Sequence, residues 1–445
     1  MCAAVESSCE STVGKNAFMK IFTQMSSLVT DGTSANTGEK GGLWTIMECM
    51  RKENSNSEAQ RAPLLKIWCC VHRSNLAWHS VSDSVSDVSH IFQHLIGMCT
   101  FFRKSGLRSR ELHDMAEKYG LHLMKLPKVF EVRWTEFTSN LLNAILSSWN
   151  VLVLFFQNSE EKSASGFLRF LTNIDTLELI AFLADTLTVF SRYQQQLQSD
   201  SVTILDMDKL TANVKVKLNS LKATPLLGGW VATLQEQMVQ SEEDLEMYLK
   251  DVKLQKKARR ATERNKFVTE GRENAAVKIE IIDSLLEFLT QRFAVDEEHL
   301  AIIKAFGTLQ PDADLKAMHA AFCTDVDLEK LGLEYGDLME MDNIDAFRKK
   351  PLRDVVLSLA QSEHYLTVNT VLACILAAKP HSADVERLIS SSNTLKTSDR
   401  SSMHFGHREY VPVRVLQHAT FICVGSKTSC FIVAQQAPPP SNRQA

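Results

Sequence analysis

A few short stretches of this chain hold the side chains that could do chemistry. Asp31 heads Thr30-Asp31-Gly32-Thr33-Ser34-Ala35-Asn36-Thr37-Gly38, and Glu386 lies in Asp384-Val385-Glu386-Arg387-Leu388-Ile389-Ser390. Carboxylates are what hard divalent cations select, so these two are the candidate metal ligands. Asp-Gly is equally an ordinary turn signal. Glu386 reads equally as a solvated residue near a helix start, with Ser382 able to cap and Asp384 suited to the helix dipole. Cys69 and His72, in Cys69-Cys70-Val71-His72, have the spacing of a zinc pair. One such pair supplies two of the four ligands a structural zinc needs, and His79, His90, His94 and His113 are scattered along helical sequence. A packed thiol and a hydrogen-bonded imidazole are therefore expected. Arg133-Trp134 sets a cation beside an aromatic face, which suits a phosphate and a stacked base, or a surface arginine beside a core tryptophan. Basic clusters at Arg103, Lys104, Arg108 and Arg110, and in 253–266, could follow a phosphate backbone. Asp251, Glu263 and the acidic stretch 241–246 dilute the second, and a solvated helix face is the expectation there.

The elements that must position these residues follow from apolar spacing. Thr12 to Gln24 spaces Val13, Phe18, Ile21 and Phe22 as a short helix. Ser26 to Thr30 predicts a buried strand ending at Asp31-Gly32, where glycine permits a sharp turn. Leu64 to Val71 predicts a second strand, with helical spacing over Lys40 to Arg51 and a polar loop over Lys52 to Arg61 between them. Val81, Val85, Val88, Phe92, Leu95, Cys99 and Phe102 predict one amphipathic helix. Lys125 to Arg133 reads as extended, since Pro127 disfavours helix. Asn140 to about Ala305 is mostly helical by periodicity, and further helices fall at Leu352 to Leu359 and Thr367 to Ala378. The segment 425–445, with Pro438-Pro439-Pro440, reads as unfolded.

Composition narrows the class. At 445 residues the chain can build two or three domains. Its 44% hydrophobic and 23% charged content excludes the disordered and collagen-like classes. No apolar run is long enough to span a bilayer, and Val151 to Phe156 is far too short, so no membrane partner is expected. The first residues, MCAAVESSCEST, lack the basic and apolar regions of a signal peptide. Ten cysteines without a secretory signal imply reduced thiols, in the cytosol or the nucleus. A net charge of -4 means that any DNA contact must rest on local patches.

The Asp31 stretch, the Cys69–His72 segment, Arg133-Trp134 and the Asp384–Ser390 stretch, with Leu395, Thr397 and Arg400 behind it, occur in one order. Together they resemble the hAT transposase family over about Thr12 to His418. That family has an RNase H-like domain with a DG-led turn, a Cys-x-x-His segment leading a helix and an Arg-Trp pair. A helical insertion follows, and then a C-terminal dimerisation helix. The resemblance implies a mixed α/β, predominantly helical fold. It places a truncated RNase H-like core at 12–139, an all-helical insertion at 140–305 and a dimerisation-type region returning to the core at 306–418, with a disordered tail at 425–445.

In the family, Asp31 matches the second catalytic aspartate and Glu386 the catalytic glutamate, both ligands of a two-metal site. Trp134 matches the tryptophan that holds a flipped base, and Val385, Leu388, Ile389 and Leu395 fall in the dimerisation region. The family's first aspartate has no counterpart: the acids upstream of Asp31 are Glu6 and Glu10, with no strand pattern around them. The resemblance therefore implies a decayed or domesticated relative in the nucleus that cuts no DNA, with Asp31 and Glu386 vestigial. Its implied partners are a second copy, other nuclear proteins and DNA held weakly. No cofactor is expected, and Mg²⁺ or Mn²⁺ only with residual nuclease activity. That activity, and a scaffold or SUMO-pathway adaptor, are the alternatives. Without the first strands, the edge beside Leu28 to Thr30 is expected to stand unpaired, an aggregation hazard.

Overall fold

The strand Ser27–Thr30 (β1) is buried along its whole length, as expected for a short apolar and β-branched run flanked by turn residues. It belongs to a computed structural model that describes residues 26–53, 64–127, 134–243, 245–255, 273–293, 297–322, 326–382 and 432–433. Only the backbone is described at 134–136, 297–299 and 432–433. The helix expected over Thr12 to Gln24, most of the loop to Arg61, the residues from 256 to 272 and everything from Ala383 on, apart from 432–433, lie outside the described residues.

The chain is predominantly helical, with few strands. After β1 come a single turn at Ser34–Thr37 (α1), Leu43–Glu53 (α2), Leu65–Trp68 (β2), Cys70–Ser84 (α3), Ser86–Arg103 (α4) and Gly106–Tyr119 (α5). Then follow Trp134–Ser147 (α6), Trp149–Gln157 (α7), Ala164–Thr172 (α8), Ile174–Leu197 (α9), Met207–Ser220 (α10) and Trp230–Gln237 (α11). The strands Met238–Gln240 (β3), Met247–Leu249 (β4) and Val252–Lys253 (β5) precede Asn274–Phe293 (α12), Glu297–Gly307 (α13) and Leu315–Phe322 (α14). Leu328–Met339 (α15), Ile344–Arg348 (α16), Leu352–Leu359 (α17) and Leu366–Ala377 (α18) complete the helices, and Ile432–Val433 (β6) is the last strand. No single helix among the described residues is long and apolar enough to cross a membrane.

Two compact units result. The first is drawn from Met1–Arg73, Gln196–Lys209 and Ala294–Ala445. Its sheet has the order β2-β1-β6, with both pairings parallel. β1 and β2 match Ser27 to Leu65 through Thr30 to Trp68. The β1 edge expected to stand bare is thus paired by β6, at Leu28 with Ile432 and Val29 with Val433. β2 is shorter than expected because the chain turns into α3 at Cys70. Among the helices of this unit, Glu334 on α15 is only 5% exposed. It accepts hydrogen bonds from Thr367 N (2.7 Å), Thr367 Oγ1 (2.8 Å) and Val368 N (2.9 Å), which caps the start of α18 from another helix.

The second unit is drawn from Ser74–Gln195 and Leu210–Phe293. Its spine is α9, where Leu177, Ile180, Leu183, Leu187, Phe190 and Tyr193 are all buried; a helix apolar on more than one face belongs in a core. Phe101, Phe102, Phe155, Phe156 and Phe167 pack with ring centroids 5.0 to 6.3 Å apart. Asp185, 2% exposed, accepts from Trp230 N (2.7 Å) and Val231 N (3.0 Å) at the start of α11. Burial raises its pKa more than those two donors lower it. Gly229 is required there, since a Cβ would sit 2.6 Å from the carboxylate oxygens.

Two local departures from the expected elements have plain causes. The single helix expected over Val81 to Phe102 breaks at Val85, which takes an extended conformation (φ -103°, ψ 100°). Val85 stays buried, so the apolar stripe runs on unbroken. The serines and aspartates on either side offer the backbone competing hydrogen bonds, as Ser84 Oγ does to Val81 O at 3.4 Å. The stretch 140–305, expected to be mostly helical, also holds the antiparallel sheet β3-β4-β5. Its second hairpin turns through Lys250 and Asp251, both at positive φ (48° and 65°). That is the geometry of a type I′ turn, which favours Asn-Gly, so the sequence carries no hairpin signal there. Replacing both residues, Lys250→Asn with Asp251→Gly, is expected to stabilise the protein by about 1 kcal/mol, read as a raised midpoint in urea unfolding.

Candidate functional site

Asp31 sits at the C-terminal end of β1 and is 9% exposed. Its Oδ1 accepts from Thr33 N (3.0 Å), Thr33 Oγ1 (2.7 Å) and Asn36 Nδ2 (2.7 Å). The Thr33 contacts make an Asx-type turn, and Asn36, 1% exposed, ties the carboxylate to α1. Oδ2 accepts no hydrogen bond among the described residues. Burial raises the Asp31 pKa, but the Thr33 hydroxyl and N–H, the Asn36 amide and the nearby His72 together hold it below the ordinary carboxylate value. Asp31 is therefore a preorganised anion with one oxygen committed to its own loop.

The floor of the site is β2. Gly32 was expected to serve the turn through its backbone freedom, yet its φ is not positive. The structure gives a different reason: the Trp68 indole lies where a Cβ at position 32 would be. Arg73, 4% exposed, donates from Nη2 to Trp68 O (2.7 Å), and its guanidinium lies 5.4 Å from the indole centroid.

Cys69 joins three segments. Its N–H donates to Thr30 O (2.8 Å), continuing the β1–β2 ladder to the residue before Asp31. Its Sγ, fully buried, accepts from Ser382 N (3.4 Å) and Ser382 Oγ (3.3 Å). The next residue, Cys70, donates its N–H to Pro380 O (2.9 Å), and burial pushes its thiol pKa far up, so that it stays protonated. His381, 1% exposed, lies with Nε2 3.2 Å from Ser199 O. The chain leaving α18 is thus pinned at the strand end that holds Asp31.

The structure brings Asp31, Cys69 and His72 into one region of the first unit, with Asp31 within electrostatic reach of His72. Glu386, Val385, Leu388, Ile389, Leu395 and Arg133 lie outside the described residues, and Trp134 is described only as the first residue of α6. No group of three or more His, Cys, Asp or Glu that could hold a metal ion occurs among the described residues. Of the two carboxylates expected to hold metal, Asp31 is among the described residues and Glu386 lies outside them. Of the basic cluster read as a phosphate track, Arg108 is already engaged. It makes a two-point ion pair with Glu161 (2.6 and 2.7 Å), donates to Phe101 O (3.0 Å) and stands 4.1 Å from the Phe101 ring centroid.

Sequence reasoning missed Trp68, Asn36 and the binding of Ser382 to Cys69. The Asp-x-Thr spacing at Asp31 was a legible Asx-turn signal for Thr33; nothing local announces a contact across 313 residues. No protein-family model matches this sequence.

Gly32→Ala is expected to cost about 1–3 kcal/mol, because the indole must be displaced from a packed floor. In a double-mutant cycle by urea unfolding, Trp68→Leu should remove most of that cost. Equal costs in both backgrounds would contradict the close approach.

Proposed function

We propose that this protein is a hAT-transposase-derived, RNase H-like protein that acts in the nucleus by associating with itself and with other proteins, holds nucleic acid weakly and does not cut DNA. The observation that carries the reading is the junction at Cys69: Ser382 donates to its Sγ while Cys69 N–H closes onto Thr30, beside Asp31. Asp384-Val385-Glu386 begins two residues after Ser382. A segment that returns from far along the chain to the end of a parallel strand pair, as Pro380 to Ser382 does, is the arrangement the resemblance calls for. The parallel β1–β2 pair, with an aspartate directly after β1 and a helix directly after β2, supports the RNase H-like assignment.

The case against cleavage is chemical. Two-metal strand transfer needs carboxylates converging on both ions, and Asp31 spends Oδ1 on Thr33 and Asn36. What remains is a stable platform from which the expected dimerisation residues Val385, Leu388, Ile389 and Leu395 continue.

Calorimetric titration with Mn²⁺ and sedimentation of the same protein test the reading. The expected outcome is no saturable Mn²⁺ heat, with a dimer that Leu388→Asp separates into monomers. Mn²⁺ binding that Asp31→Ala and Glu386→Ala each abolish would replace the reading with a residual metal-dependent nuclease.

A further inference from the structure

We draw no further inference here: the strongest candidate, the surface patch on the β3–β4 hairpin of the second unit, where Val239 and Leu245 stand 62% and 72% exposed beside the exposed Glu242 and Glu243, is an unpartnered apolar face, and nothing in the structure shows what covers it.

Discussion

The thiol of Cys69 has no water to turn to, and the first unit is organised around how its surroundings satisfy it. Fully buried, Cys69 takes both donors of Ser382 at its sulfur and gives its own N–H to Thr30. A sulfur is a weak acceptor, so neither bond alone is strong. Their effect is positional. A parallel pair of four-residue strands has no turn of its own to fix it. The Cys69 and Cys70 contacts fasten β2, the first turn of α3 and the chain leaving α18 to one point beside Asp31.

In each unit a buried carboxylate sets where one helix begins. Glu334 caps α18 in the first unit, and Asp185 caps α11 in the second. Each takes two backbone N–H groups that a helix start otherwise leaves unpaired. A buried carboxylate is costly unless hydrogen-bonded, so these acids specify where a helix begins more than they add stability. Asp31 follows the same logic on a smaller scale: its Oδ1 organises the loop into α1 and the half-free Oδ2 faces no described donor. On this view the aspartate serves as a loop organiser.

How much was legible depends on whether the cause was local. The strand at Ser27–Thr30 and the helix at Leu352–Leu359 were readable because the pattern and the cause lie in the same residues. The break at Val85 was hidden because it leaves the apolar stripe intact, and the β4–β5 hairpin because its turn uses Lys250-Asp251 against the preference for Asn-Gly. At the site, Asp31 was found from its turn signal. The reason for Gly32 was missed, because it depends on a tryptophan 36 residues further on. The commitment of Arg108 to Glu161 and Phe101 was missed for the same reason: a basic run does not show which of its charges are already paired. The pairing of β1 with β6 depends on two segments that no local pattern connects.

The central claim is that the segment ending at Ser382 is held on Cys69, and covalent trapping tests it directly. Ser382→Cys places a second sulfur where the hydroxyl oxygen now lies 3.3 Å from Cys69 Sγ. Mild oxidation of the folded protein, followed by peptide mapping under non-reducing conditions, should return an intramolecular disulfide joining position 382 to Cys69, absent when Cys69→Ser is combined with it. Recovery of position 382 as a free thiol, or joined only to other cysteines, would contradict the account.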